Sequence, residues 1–165
     1  MDAVEERVTV ALQDLGIEFA LVSHPPVHTM EDCLPAEEAL GTPIHKNVFL
    51  QNRQGTEYFL LMLGADKRFV TSVVSKKLGK ARLSFGGPDK LQELLCLDPG
   101  AVSPMGLLFD QKRAVQLVID ADVAAQERIA CHPCVNTASL SMKKDDFFQI
   151  FLPHTGHTPT IITLD

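Results

Sequence analysis

Long hydrophobic runs, cysteine and net positive charge are all scarce in this chain, and each scarcity removes a class of protein. The longest uninterrupted apolar stretches are short runs such as Phe59 to Leu63, against the roughly 20 apolar residues of a membrane-spanning helix. The first turn carries Asp2, Glu5 and Glu6 where a secretory signal would be basic and then apolar, so a cytoplasmic protein without membrane contact is expected. Cys33, Cys96, Cys131 and Cys134 are too few and too scattered for a disulfide framework. Repeats, low-complexity tracts and linkers are also missing, and residues 1–165 read as one domain. The net charge is −6, from 15 basic and 21 acidic residues. That balance argues against DNA as a partner, because nucleic-acid affinity rests largely on neutralising phosphates.

What is present is enough apolar residue to build a core, 45% of the 165 residues; a domain near this size typically buries roughly 70% of its unfolded surface. The charge is uneven. Residues 1–41 sum to −8, residues 42–82 to +6 and residues 83–165 to −4. Within the basic third, Lys67, Arg68, Lys76, Lys77, Lys80 and Arg82 fall close together. Such a cluster is either a solvated face or a docking patch for polyphosphate.

Periodicity places the elements. Val4, Val8, Ala11, Leu12 and Leu15 recur at helical spacing before Gly16, so a helix is expected over 3–15. Ile17, Phe19 and Leu21 alternate as a strand, which His24-Pro25-Pro26 ends because proline lacks the amide a ladder needs. A second helix is expected from Asp32 to Leu40. Val48 to Leu50 and Tyr58 to Leu63 flank the turn-like Asn52-Arg53-Gln54-Gly55, the pattern of a hairpin. Short helices are expected at Thr71 to Leu78 and Pro88 to Leu95, and a helix end at Phe147 to Leu152. Strands are expected at Val115 to Ile119, Val135 to Leu140 and Ile161 to Leu164. Interspersed elements without strict alternation point to an α+β fold, with a mixed, mostly antiparallel central sheet surrounded by helices.

Three segments carry candidate chemistry. Cys131-His132-Pro133-Cys134 has the spacing of a thiol redox pair, but the following residues read as strand, whereas a redox site opens a helix. A structural zinc site would need two more ligands nearby. His45-Lys46-Asn47 stands directly before an apolar run, where a lysine is ordinarily a solvated strand end. Ser103-Pro104-Met105-Gly106-Leu107 reads as a turn whose glycine lets backbone amides approach a ligand, and it matches no P-loop or dinucleotide fingerprint.

Together these segments resemble the YbaK/ProX superfamily of aminoacyl-tRNA deacylases, which is related to the editing insertion domain of bacterial prolyl-tRNA synthetase. The matching marks are His24-Pro25-Pro26-Val27-His28-Thr29, Lys46-Asn47-Val48-Phe49-Leu50, Ser103 to Leu107, His132-Pro133-Cys134-Val135-Asn136-Thr137-Ala138 and Thr155-Gly156-His157. They keep the family's order and span nearly the whole chain. The pattern is most similar to the ProX-type branch that clears alanine from mischarged proline tRNA.

The resemblance implies hydrolysis of the ester between an amino acid and the terminal adenosine of tRNA. It makes Lys46 the central residue, a point charge suited to the terminal phosphate or ribose. It assigns oxyanion donation to backbone amides around Gly106, and orientation of water or substrate to His132. Asn47 and Asn136 are expected to hold ribose hydroxyls or the ammonium group, with Ser103 also binding substrate. Val27, Met30 and Ile44 are the expected wall of an alanine-sized pocket, and Lys67, Arg68, Lys76, Lys77 and Lys80 the expected tRNA contacts. The scheme calls for no cofactor or metal. Its partners are the aminoacylated end of a proline-specific tRNA and, through it, prolyl-tRNA synthetase. The alternatives are a deacylase for another acyl group such as cysteine, a non-catalytic tRNA- or synthetase-binding module, and a thiol oxidoreductase using Cys131 and Cys134.

Overall fold

The computed structural model describes residues 2–165. Helix α1, Ala3–Asp14, starts where the Asp2 carboxylate accepts the Val4 amide at 2.8 Å, and it buries Val8 and Leu12 completely. Strand β1, Phe19–Ser23, stops at the two prolines, and helix α2, Leu34–Leu40, ends at Gly41 in the left-handed conformation. The expected hairpin forms between β2, Lys46–Gln51, and β3, Tyr58–Leu63. Its turn is tied by Asn52, whose Oδ1 accepts the Thr56 and Glu57 amides at 2.8 and 3.0 Å. Helix α3, Thr71–Lys77, strand β4, Ser84–Phe85, and helix α4, Pro88–Leu95, follow. Then come β5, Val115–Asp120, β6, Arg128–Cys131, β7, Ala138–Lys143, and β8, Thr160–Ile162.

The α+β class holds, and four of the six strand pairings are antiparallel. The strands divide between two sheets, however, where one was expected. A five-stranded sheet has the order β4-β2-β3-β5-β8 and a three-stranded sheet the order β1-β7-β6. Strand β3 lies inside the larger sheet and is buried at all six positions. Tyr58, Leu60 and Met62 face the main core with α1, α4 and the C-terminal helix, while Phe59, Leu61 and Leu63 face a second core with Val74, Leu83 and Val118. Burial on both faces is why this strand reads as an unbroken apolar run.

Local differences from the sequence reading have local causes. The strand expected from Val135 begins only at Ala138, because Cys134 adopts φ 65° and residues 133–137 form the turn between β6 and β7. Pro104–Phe109 is a short 3-10 helix, capped by Ser103 Oγ accepting the Met105 amide at 3.1 Å. The C-terminal helical run from Lys144 to Thr155 widens to π geometry at Phe147–Phe151, where Phe147 and Phe151 stack in the core. Among the described residues no helix is long and apolar enough to cross a membrane.

Candidate active site

An open cleft of about 270 Å³ forms where the start of β2 meets the loop after β1, the Pro99–Val102 segment and the turn between β6 and β7. The ladder of β1 and β7 continues past the prolines, with the His24 amide on the Thr137 carbonyl at 2.9 Å and the Val27 amide on the Asn136 carbonyl at 3.0 Å. Val27 is thereby set into the wall. Ile44 belongs to the same buried cluster as Val27, and its amide donates to Glu37 Oε1 of α2 at 2.9 Å. Met30 completes the apolar lining that the sequence suggested, and Cys33 and Val102 add to it.

His132 projects from the end of β6 and is 8% exposed. Its Nδ1 lies 2.9 Å from the Ala138 carbonyl and 3.2 Å from Ser139 Oγ. A carbonyl only accepts, so Nδ1 carries the proton and Nε2 presents a lone pair. His24 is fixed in the same tautomer by the Pro25 carbonyl at 2.9 Å, and its Nε2 accepts from Ser139 Oγ at 2.8 Å. Burial lowers the pKa of His132 more than the Ala138 bond raises it, and the nearby His24 lowers it further. His132 is therefore neutral at physiological pH.

Lys46 lines the cleft and donates its ammonium to the Lys67 carbonyl. That carbonyl is itself held in place. The Lys67 ammonium pairs with Asp120 and Asp122, each at 2.8 Å, and with the Leu164 carbonyl, while Asp120 also accepts the Gly64 amide at 3.0 Å. Burial works against the charge on Lys67, but the hydrogen bonds and charges of the two aspartates outweigh it and raise its pKa. The end of β5 thus positions Lys46 through the loop after β3.

Of the expected site residues, the structure brings Lys46, Asn47, His132, Val27, Met30 and Ile44 around one cleft. Gly106 is not among them. Its amide donates to the Ser103 carbonyl at 3.1 Å, and a Cβ there would lie 2.8 Å from Leu97 Cδ1. The glycine is required for close packing on the end of α4, and the oxyanion role expected of it is corrected accordingly. Ser103 is fully buried with its hydroxyl donated to the His132 carbonyl, so it ties two loops together and does not face a ligand. Asn136 donates Nδ2 to the Val27 carbonyl at 3.1 Å and positions the wall from behind. The basic cluster is likewise partly committed: Lys67 is paired as described and Lys80 pairs with Glu57 at 2.9 Å, while Arg68, Lys76, Lys77 and Arg82 are exposed.

The sequence reading gave no role to His45, His28, Thr29, Pro99 or Gly100, all of which line the cleft. His45 left a signal in its place two residues before Asn47 at a strand start, and His28 and Thr29 in the family mark that begins at His24. The thiols are unsuited to redox chemistry. Cys131 and Cys134 are both buried and unbridged, and burial pushes the Cys131 thiol up to about 12 and raises Cys134 as well, the reverse of an activated thiolate.

A family model described as the aminoacyl-tRNA editing domain matches residues 24–150. The prolyl-tRNA editing protein ProX of Acetoanaerobium sticklandii is 33% identical over 150 residues, covering 91% of this chain and 91% of that protein. Prolyl-tRNA synthetase associated domain-containing protein 1 of Danio rerio is 31% identical over 156 residues, covering 93% of this chain and 84% of that one. A crystal structure of a candidate trans-editing enzyme for prolyl tRNA synthetase superposes with a TM-score of 0.73 at 17% identity, over 100% of this chain and 99% of that one. At that identity the likeness is one of fold.

Proposed function

The chain belongs to the aminoacyl-tRNA editing family, and on that premise we propose that it is a trans-acting deacylase that hydrolyses mischarged proline tRNA, with alanine as the acyl group removed. The observation that carries this reading is the convergence of Lys46 and a neutral His132 on one cleft with apolar walls. Ester hydrolysis needs water to attack the carbonyl carbon. The lone pair on His132 Nε2 accepts a proton from that water as its oxygen bonds to carbon. The bond from carbon to the ribose oxygen then breaks, and the ribose oxygen takes the proton back. The Lys46 ammonium answers the negative charge of the terminal nucleotide.

Alanine follows from the physics of selection. A synthetase pocket built for proline gains only about 1–3 kcal/mol of discrimination per methylene against a smaller side chain. A second, smaller pocket corrects the error by admitting alanine and excluding proline. Val27 and Ile44, both buried, with their amides held by the Asn136 carbonyl and the Glu37 carboxylate, form a wall suited to such exclusion.

The test is release of alanine from alanyl-tRNA specific for proline. The protein should deacylate it, and Lys46→Ala should lower kcat/KM by about 10²–10³-fold, the usual scale for one electrostatic contact in a transition state. Tight binding of the tRNA without release would replace the enzyme reading by a binding module.

A further inference from the structure

Phe85 is the most exposed large apolar residue among the described residues, at 67%. It stands on β4, an edge strand of two residues whose partner is the same β2 that begins in the cleft at Lys46. Its backbone is fixed on both sides. Leu50 is its register partner, and the next residue, Gly86, donates its amide to the Phe49 carbonyl at 2.9 Å. Gly86 lies so close on the Phe49 ring that a Cβ there would fall 2.2 Å from it, and Phe49 stacks in turn on Tyr58 with ring centres 5.8 Å apart. The Phe85 ring meets Phe69 at 5.4 Å between centres and leaves most of its surface to solvent. Packing explains how Phe85 is held, but not why it is bare.

Its surroundings supply a reason. Phe85, Gly86 and Pro88 line a groove of about 300 Å³ that shares Asn47, Pro99 and Val102 with the cleft, so the two are continuous. Phe69, the ring that Phe85 meets, lines a further hollow together with Arg68 and Lys77. A path out of the cleft therefore crosses an apolar groove, then a bare aromatic ring, then cations. The cleft takes the acyl group, and what leads away from that group on a charged tRNA is a single strand of unpaired nucleotides. Unpaired bases stack on aromatic side chains, and the phosphates between them pair with cationic ones. We propose that Phe85 is a stacking platform for an unpaired base of the tRNA 3′ end, with Arg68 and Lys77 answering the phosphates beyond it. This rests on the deacylase reading and adds how the single-stranded end is held. A protein partner would also cover an apolar ring, but it gives no reason for that ring to stand on a groove that opens into the cleft.

The experiment measures alanine release from alanyl-tRNA specific for proline, and binding of the same tRNA uncharged, by wild type, Phe85→Ala, Phe85→Leu and Phe85→Trp. Stacking is made alike in ground and transition states, so Phe85→Ala should raise KM and weaken binding by about 5- to 150-fold, the range one stacked base contributes, with kcat unchanged. Phe85→Leu, apolar but without a ring face, should lose most of the same amount, and Phe85→Trp should retain it. The loss should be one factor at low and high salt, because a stacked ring releases no counterions. At one unpaired position of the 3′ end, removing the base should weaken binding to wild type and not to Phe85→Ala. Losses that multiply at every position overturn the proposal, as does a Phe85→Leu protein that binds as well as wild type. Unchanged KM and affinity in Phe85→Ala, with lost binding to purified prolyl-tRNA synthetase, overturn it in favour of a protein contact. Each of these leaves alanine release by wild type, and so the deacylase reading, intact. Absence of release by wild type removes that reading, while the binding measurements still decide the role of Phe85.

Discussion

Buried histidines occupy two clusters of polar side chains in this molecule and differ in what their nitrogens do. At the corner where the C-terminal helix ends, His157 and Asp110 have side chains 3% and 2% exposed and meet at 2.9 Å. His157 Nδ1 reaches Thr155 Oγ1 at 2.9 Å, and Asp110 also accepts the Ala114 and Val115 amides, each at 2.9 Å. Gly156, at φ 78°, leaves the space that Arg113 fills beside it. Every polar atom of that pair is spent on holding the loop before β5 to the helix end. In the cleft, by contrast, His45 and His132 each commit Nδ1 to a backbone carbonyl and leave Nε2 unspent. Burial is therefore a poor guide to function, whereas an unspent lone pair on a ligand-sized cleft is a good one.

The largest effect that tests this contrast is at the corner. Asp110→Ala leaves two amides and an imidazole without their acceptor, and breaking a buried pair of this kind costs about 3–5 kcal/mol. Urea denaturation should show a loss of that size, with the specific activity of the folded protein unchanged. A stable Asp110→Ala protein that fails to deacylate would erase the distinction between the clusters.

Next in size is the pH dependence of stability. His45 falls from an ordinary 6.5 to about 4 in the fold, so below pH 6.5 the unfolded chain takes up a proton that the folded one refuses. Its contribution to stability is fully present above pH 6.5 and is lost as the pH falls toward 4. The loss is at most about 1.4 kcal/mol per pH unit. His132, lowered in the same direction, adds to the slope. His45→Leu should flatten the denaturation midpoint over that range relative to wild type; an unchanged slope would mean that His45 is solvated, not buried neutral.

The smallest effect belongs to the exposed bases. Replacing Arg68, Lys76 and Lys77 together should weaken tRNA binding and reduce the slope of log affinity against log salt by about one for each phosphate no longer neutralised. An unchanged slope would return these side chains to the status of a solvated face.

The elements are largely legible in the sequence because their signals are local. Helix α1, the hairpin and the fully apolar β3 follow from periodicity, turn residues and burial on both faces. Strand β6 escapes the pattern because Arg128–Cys131 is short and lacks alternation, and the late start of β7 escapes it because the left-handed backbone of Cys134 falls on a residue that rarely adopts it. Among the family marks, the segments around Val27, Lys46 and His132 reach the cleft, while Ser103 to Leu107 and Thr155 to His157 hold loops in place. A motif preserves both kinds of residue alike.

The sequence by itself determined the class of fold, the family and the cleft's principal cation, Lys46, because patterning, order and motif identity are written along the chain. Only the tertiary structure decided which polar atoms remain free to act. Gly106 and Ser103 look like ligands in sequence and are consumed by packing and by the His132 carbonyl, while His45, a neighbour of Lys46 to which the sequence gives no role of its own, keeps its lone pair. Hydrogen-bond capacity is shared among residues distant along the chain, and what is left for a substrate emerges only after the fold has taken its share.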